Sequence, residues 1–273
     1  EKFVERLKKW QDDPSSDQEL EKWYNDIYKP SSGKVKLPNV SQKAEEEEDI
    51  INLDDFEDLH EKYQPNEYGL NNTIEDVKNH SNLLEYEATE DERYAAEYYT
   101  LSTGYQEFQR ALRFPDLEED TSRIKKEIEN LINLTKKANP LSQNTIFYRH
   151  DQLGAIEYLF DPEVSKMAWE VVWNGDTSKM PELKKQLMDS VIQDKGFLST
   201  SYRQGVFVRS KGMELRIYAP KGFTNGLFVE QVSIAPDERE YLFAPGQKFR
   251  VLDVEVGEVY LGMKNLILHV VPI

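Results

Sequence analysis

The sequence of 273 residues contains no cysteine. This absence excludes disulfide bonds, a thiol nucleophile and a zinc site with cysteine ligands. No apolar run reaches about 18 residues, so we expect no membrane-spanning helix. No metal site is expected either, because the histidines lack HExxH or similar spacing; they are His60, His80, His150 and His269.

Positive charge is scarce as well: the 34 lysines and arginines are outnumbered by 51 aspartates and glutamates, which gives a formal net charge of −17. This charge argues against binding to nucleic acid or to an anionic membrane. The glycine-rich motifs GxGxxG and GxxxxGK(S/T) are also absent. A Rossmann motif or a P-loop is therefore not available to hold nucleotide phosphates, and an arginine fork can take its place.

The sequence divides into two parts of different composition. Residues 1–84 contain 21 acidic and 11 basic residues, an excess of ten negative charges, and few apolar runs. We predict an acidic, mostly helical N-terminal extension or linker over residues 1–84 and one larger domain over residues 85–273. Because the chain begins at Glu1 without a signal peptide, we expect a processed form or an excised piece of a longer protein.

The larger part begins with helical patterns. Thr89 and Glu92 form a predicted capping box, and an amphipathic pattern covers Ser122–Lys137. Residues 101–104 are predicted to form a turn. Asp161-Pro162 predicts the start of a helix that runs through Trp169. Pro181 predicts the start of another that runs to about Gln193.

Strand patterns dominate after residue 195. Together with Thr145–Arg149, the predicted strands are Gly196–Ser201, Gly205–Val208, Met213–Ala219, Gly226–Gln231, Arg239–Phe243, Phe249–Val256 and Asn265–Val271. Helices followed by strands indicate an α+β fold with a mainly antiparallel sheet or sandwich.

Two carboxylates stand out in the stretch from Asp237 to Phe243, which is predicted to be a turn leading into a strand. In an extended chain Glu238 and Glu240 would point to the same face. Paired carboxylates suit chemistry in which positive charge develops on a sugar carbon. A solvated strand face would give the same pattern. The chemical interpretation gains its weight from Arg149 and from Ser199-Thr200-Ser201 upstream.

The motifs Phe147-Tyr148-Arg149, Phe197-Leu198-Ser199-Thr200-Ser201 and Glu238-Arg239-Glu240 occur in this order on predicted strands. This order resembles the bacterial mono-ADP-ribosyltransferase exoenzymes, which include the enzymatic subunits of actin-modifying binary toxins and the Rho-modifying exoenzymes. The resemblance covers residues 85–273. It implies N-terminal helices followed by a mainly antiparallel β-sandwich of the ADP-ribosyltransferase type.

The resemblance assigns roles to individual residues. Glu240 would bind the ribose of NAD and stabilise its oxocarbenium-like state, and Glu238 would hold and help deprotonate the acceptor. The Ser199 hydroxyl would hold Glu240 in place. Arg149 would bind the pyrophosphate of NAD. The remaining residues expected to bind NAD are Thr200, Ser201, Tyr99, Tyr105, Phe207, which would stack on nicotinamide, and Arg209, the second phosphate contact, for which Lys211 is the alternative.

Some positions depart from the family pattern. Gln109 stands where the family has an asparagine, in a segment where Leu112-Arg113 also resembles the family. In the turn before the carboxylates, Ala235 stands where many members have an aromatic residue that helps to select the target. Asp237 replaces the usual glycine. In the family, glutamate at the first carboxylate position goes with arginine acceptors, so Glu238 implies modification of arginine.

The resemblance implies a secreted bacterial toxin or effector that uses NAD as substrate, needs no metal and acts in the cytosol of a target cell. Its partner would be a host or competitor protein that carries the acceptor arginine, with actin as one candidate. A translocation or immunity partner is another expectation. Two alternatives stay open: an NAD glycohydrolase that uses the same site with water as acceptor, and a catalytically inactive binding module in which residues 1–84 are the active part.

Overall fold

The computed structural model describes residues 74–115, 122–152, 159–206, 212–260 and 263–273. All of these residues lie within a compact unit that spans residues 40–273. Most of the predicted extension, up to residue 73, lies outside the described residues. The same is true of Phe207 and Arg209.

Among the described residues, four α-helices precede the first strand: α1 (Ile74–Asn82), α2 (Glu90–Thr100), α3 (Ser102–Arg113) and α4 (Ser122–Lys137). A short π-helix, Leu83–Glu87, follows α1. The predicted capping box is confirmed, since Glu92 N donates to Thr89 Oγ1 and Thr89 N donates to Glu92 Oε2. The turn predicted over residues 101–104 is wrong. Only Leu101 leaves the helical conformation, with φ −78° and ψ 143°, and α3 begins at the next residue.

The later part of the chain contains α5 (Pro162–Val172), α6 (Met180–Leu187) and eight described strands. The strands are β1 (Thr145–Gln152), β2 (Val191–Gln193), β3 (Leu198–Ser201), β4 (Gly212–Ala219), β5 (Gly226–Phe228), β6 (Glu240–Phe243), β7 (Lys248–Tyr260) and β8 (Met263–Pro272). The predicted N-cap of α5 is confirmed, because Asp161 accepts hydrogen bonds from two backbone N–H groups of its first turn.

Two element predictions in this part are wrong. The helix expected to run to Gln193 ends at Leu187, because Asp189 has a positive φ of 61° and Val191–Gln193 pair with β7 instead. The strand predicted over residues 205–208 does not begin at Gly205, which lies in a turn with a φ of 81°, and residues 207–208 lie outside the described residues.

The described strands form one sheet in the order β2-β7-β8-β4-β1-β3-β6-β5. Only β4 and β8 pair in parallel, and every other pair is antiparallel. The predicted α+β fold with a mainly antiparallel sheet is therefore confirmed. Its functional consequence is that β1, β3 and β6, which carry the three motifs, are neighbours.

Phe197 fixes the start of β3 against the helices. Its ring is fully buried and packs edge-on against Tyr99 and close to Phe108, with ring centroids 5.4 and 5.9 Å away. Burying a phenylalanine side chain contributes roughly 1.5–3 kcal/mol. Because Phe197 is anchored in this core, Ser199, two residues later, is held in a fixed position. Within the described residues, no helix is both long and apolar enough to cross a bilayer.

Helix α1 is held to the rest of the fold by two buried side chains. The Ser142 N–H donates to both carboxylate oxygens of Asp76, at 3.0 and 3.1 Å. His80 Nδ1 accepts the N–H of Phe228 in the edge strand β5 at 3.0 Å, so its Nε2 carries the proton and donates to Asn139 O at 2.9 Å. The imidazole thus has a defined neutral tautomer, and a second proton would oppose the Phe228 N–H.

This geometry predicts a fall in stability at mildly acidic pH. Burial lowers the pKa of His80, against the opposing effects of its bond to Asn139 and of the Asp76 charge. The unfolded chain therefore binds more protons at this residue than the folded chain. Stability is lost as the pH falls below about 6.5, by at most about 1.4 kcal/mol per pH unit. Denaturant unfolding between pH 5.5 and 7.5 should show a slope that His80→Gln reduces.

His150→Gln is the matched control, because His150 also makes a side-chain hydrogen bond, to Asn265. The reduction in pH slope that His80→Gln causes should be the same whether or not His150→Gln is also present. An identical pH slope in wild type and His80→Gln would contradict the prediction.

Candidate active site

The three sequence motifs meet through a short series of hydrogen bonds. Arg149 on β1 donates from Nη1 to the backbone oxygen of Ser199 on β3, at 2.8 Å. The Ser199 hydroxyl donates to Glu240 Oε1 on β6, at 2.5 Å. Arg149 and Glu240 are 8% and 5% exposed. A guanidinium, a hydroxyl and a carboxylate from distant parts of the sequence thus lie together.

Glu240 is an unusual carboxylate because it is almost fully enclosed. The pKa of Glu240 is raised to about 7, chiefly by burial and also by the nearby charge of Glu238, against the opposing effects of the Ser199 hydroxyl and of Arg149. The carboxylate is therefore poised to change its protonation state near neutral pH. Perturbed carboxylates of this kind occur frequently at catalytic sites.

The prediction that Glu238 and Glu240 point to the same face of one strand is wrong, although the two charges remain near each other. Glu238 ends a short 3₁₀ helix, Pro236–Glu238, and β6 begins only at Glu240. Arg239 between them has a left-handed backbone with φ 54°, and its side chain pairs with Glu230 at 3.3 Å. Glu238 therefore approaches the site from a turn rather than from the face of a strand.

Arg149 is held by an aspartate that the sequence analysis did not single out. Its Nε and Nη2 donate to the two carboxylate oxygens of Asp151, at 2.5 and 2.7 Å. Burial acts to lower the pKa of Arg149, but the charge and hydrogen bonds of Asp151, together with Tyr105 and Asp194, outweigh it, and the pKa lies well above its usual value. Arg149 is thus a permanently charged, buried cation.

A second arginine has the same arrangement. Arg113 at the end of α3 donates through Nε and Nη2 to both oxygens of Asp194, at 2.9 and 2.5 Å. The charge of Arg113 is close enough to Arg149 for the two guanidiniums to repel each other. The sequence analysis gave Arg113 no role. No local pattern links it to Asp194, which lies 81 residues away.

Gln109 explains why a glycine precedes Phe197. Its Nε2 donates to the backbone oxygen of Phe197 at 2.7 Å and to the Tyr99 hydroxyl at 3.0 Å. A Cβ at Gly196 would lie 1.9 Å from Gln109 Oε1, so a larger residue cannot fit there without rearrangement. Gln109 therefore ties α3 to the start of β3.

A family model described as ADP-ribosyltransferase exoenzyme matches residues 60–271 of the chain. The chain belongs to this family. Solved structures of bacterial ADP-ribosylating toxins share the fold of this exoenzyme. No curated protein matches its sequence significantly.

Three of these structures illustrate the likeness. Plx2a, an ADP-ribosyltransferase toxin from Paenibacillus larvae, is 21% identical, and the match covers 72% of this chain and 92% of that one with a TM-score of 0.60. C3stau2 from S. aureus, solved with NAD, is 17% identical over 73% and 95% of the two chains, with a TM-score of 0.58. The enzymatic component C2-I of the C2-toxin from Clostridium botulinum is 21% identical over 72% and 47%, with a TM-score of 0.58.

The other predicted site residues of the exoenzyme differ in their exposure. Tyr105 is half-buried and packs edge-on against the buried Tyr99, with ring centroids 5.7 Å apart. The Thr200 side chain is fully buried, and its hydroxyl donates to the backbone oxygen of Tyr241 at 2.7 Å. Ser201 Oγ accepts the N–H of Arg203. Thr200 and Ser201 therefore make contacts that support the strand.

The loop before Glu238 exposes one large apolar side chain. Ile234 is 68% exposed, whereas Ala235, where an aromatic residue was expected by resemblance, is half-buried. The loop is braced by the N–H of Ala235, which donates to Ser233 Oγ, and by the N–H of Glu238, which donates to the oxygen of Ala235. In the described part of the exoenzyme, no three potential metal-ligating side chains lie together.

Proposed function

We propose that the chain is an NAD-dependent mono-ADP-ribosyltransferase that transfers ADP-ribose to an arginine of a target protein and releases nicotinamide. The observation that carries the proposal is the hydrogen-bonded series from Arg149 through Ser199 to Glu240 on adjacent strands. Membership of the exoenzyme family supports transferase activity. The likeness to a toxin structure solved with NAD supports NAD as the substrate.

The two arginines would bind the pyrophosphate of NAD. Guanidinium groups match phosphate oxygens in geometry and charge. Arg149 and Arg113 are close enough to interact electrostatically, and each also has its own aspartate partner. Arg209, the second phosphate contact expected from the resemblance, stays a prediction, as does the stacking of Phe207 on nicotinamide.

Glu240 would stabilise the sugar cation. When the bond between the ribose C1 carbon and the nicotinamide nitrogen breaks, its electron pair leaves with neutral nicotinamide and positive charge remains on the ribose. A fixed carboxylate beside that carbon lowers the energy of this state. Ser199 holds the carboxylate in place through its 2.5 Å hydrogen bond.

Glu238 would prepare the acceptor. An arginine has a pKa above about 12 and is not nucleophilic while it is protonated. The Glu238 carboxylate would hold the guanidinium and accept a proton as one guanidinium nitrogen forms a bond to C1 of the ribose. The transfer is thus a glycosyl transfer with an arginine acceptor.

We propose that the enzyme is secreted and acts in the cytosol of a target cell. Its likeness to the enzymatic component of the C2-toxin and to BECa of a binary enterotoxin of C. perfringens supports this proposal. The resemblance to actin-modifying toxins makes actin the first target to test, with a translocation or immunity partner as a second protein to seek.

The direct test uses agmatine, a small molecule that carries the guanidinium group of arginine. Incubation with NAD should produce ADP-ribosylagmatine together with at least an equal amount of nicotinamide, as measured by chromatography with mass spectrometry. Nicotinamide release without any ADP-ribosylagmatine or protein labelling would favour the glycohydrolase instead. No NAD cleavage and no NAD-induced thermal shift would favour the inactive binding module.

Ile234 is predicted to contact the target protein. An exposed isoleucine on a braced loop beside Glu238 can bury its side chain on the protein that supplies the arginine. Ile234→Ser should lower the labelling of a target protein by roughly tenfold through a higher KM. Labelling of agmatine should not change, because agmatine lacks the surrounding protein surface.

Ile273→Ser is the matched control, since Ile273 is 52% exposed and lies outside the loop. An equal loss with agmatine and with protein would show that Ile234 supports the site rather than the docking of the target.

A further inference from the structure

We propose that Asp151 is a positioning residue for NAD, an inference that rests on the proposed function. Its carboxylate accepts hydrogen bonds from Nε and Nη2, on one side of the Arg149 guanidinium. The Ser199 backbone oxygen holds Nη1 as a third point. These contacts fix the plane of the guanidinium, which then presents its remaining N–H groups to the pyrophosphate.

The donor count leaves room for a phosphate. An arginine has five N–H donors. Three of those of Arg149 bond to Asp151 and Ser199, and the other two bond to no residue in the described part of the chain. The group is 8% exposed, so these two donors can reach a phosphate only along the direction that the existing contacts allow. The orientation set by Asp151 therefore decides whether they can bind it.

The second pair supports the interpretation. Asp194 accepts hydrogen bonds from the same two nitrogens of Arg113, Nε and Nη2. Asp194 and Arg113 are 81 residues apart in the sequence. Two like charges that repel each other would turn apart unless each were held. A side-on aspartate on each arginine keeps both guanidiniums charged and oriented before the anion arrives, which lowers the cost of ordering them on binding.

A competing account makes the opposite prediction. Asp151 could instead be a stand-in anion that occupies the place of the phosphate, in which case its removal would strengthen NAD binding. Loss of its negative charge by itself would also favour an anionic ligand. Positioning requires the reverse, so the sign of the change in affinity distinguishes the two accounts.

The test measures the dissociation constant of ADP-ribose by titration calorimetry, because ADP-ribose carries the pyrophosphate but no bond to nicotinamide. Asp151→Asn should raise the dissociation constant roughly tenfold or more, since the amide offers a donor where the guanidinium needs an acceptor. With NAD as substrate, KM should rise while kcat changes little. The control Asp91→Asn removes an exposed ion pair with Lys126. It should change neither the dissociation constant of ADP-ribose nor the KM for NAD.

A double-mutant cycle separates positioning from a general structural role. If Asp151 acts through Arg149, adding Asp151→Asn to Arg149→Lys should change the dissociation constant by less than about threefold. Should Asp151→Asn fail to fold, Asp151→Glu keeps the charge and moves the carboxylate by one methylene, and it should weaken binding with the same dependence on Arg149.

Each outcome has one meaning. Unchanged or tighter binding in Asp151→Asn, unchanged binding in Asp151→Glu where that variant is needed, or full additivity with Arg149→Lys would overturn the positioning role alone. Failure of the wild-type chain to bind ADP-ribose and to cleave NAD would overturn the proposed function, and this inference with it.

Discussion

Replacement of Glu240 by glutamine is expected to lower both nicotinamide release and ADP-ribosyl transfer by about 100- to 1,000-fold. A neutral amide cannot stabilise the positive charge that develops on the ribose. The Ser199 hydroxyl can still donate to the amide oxygen, so the geometry should survive. Initial rates of nicotinamide release from NAD, with and without an arginine acceptor, measure the effect.

The fold should tolerate this change. Because burial opposes ionisation of Glu240, the glutamine variant should unfold at the same temperature as the wild type or slightly higher near pH 7. Glu97→Gln is the matched control, since Glu97 pairs with Arg93 and its side chain is 48% exposed. A Glu240→Gln enzyme with near wild-type turnover would remove the basis of the catalytic assignment.

Replacement of Glu238 by glutamine is expected to separate the two half-reactions. Transfer to agmatine or to a protein should fall by about 100-fold or more, because the acceptor loses its base. NAD hydrolysis should continue, because Glu240 and Ser199 are intact. Parallel measurement of nicotinamide and ADP-ribosylagmatine gives both rates from one reaction. An equal loss of both products would show that Glu238 is needed for cleavage of NAD itself.

The same variant carries a pH signature. In the wild type, kcat/KM for NAD hydrolysis should rise with pH through about 7, as Glu240 loses its proton. Glu238 raises the pKa of Glu240, so Glu238→Gln should move this rise to lower pH. Ser199 lowers that pKa, so Ser199→Ala should move the rise to higher pH. Shifts in the same direction would contradict this account of the site.

The convergence of Arg149, Ser199 and Glu240 was predicted from the resemblance of the three ordered motifs to the family, because strand alternation alone does not say which strands are neighbours. Arg149, Ser199 and Glu240 each lie on a strand, and these strands proved to be neighbours. The placement of Glu238 was predicted wrongly, because the chain from Glu238 to Glu240 is not extended. The conformation of Arg239, a residue with positive φ that is not glycine, accompanies an ion pair with Glu230 nine residues away. Such a pairing is set by tertiary contacts that no alternation pattern encodes.

The aspartates at positions 151 and 194 show a second limit. Asp194 is far from Arg113 in sequence, and Asp151 lies beyond Arg149, where the predicted strand ended. The boundary placed after residue 84 stays a prediction, since residues 1–73 are not described. Helix α1, which lies before that boundary, bonds to the β5 edge through His80. Acidic composition therefore says little about which of those residues join the fold.

The position of β8 has a consequence for the folding of this protein during its synthesis. The ribosome makes β8 after every other described strand, yet β8 lies in the sheet interior between β7 and β4, and β4 in turn flanks the strand that carries Arg149. A nascent chain that still lacks residues 263–272 has an unpaired edge at β4. Completion of the sheet between β4 and β7 must therefore wait for those residues, although β1, β3 and β4 have been synthesised before them.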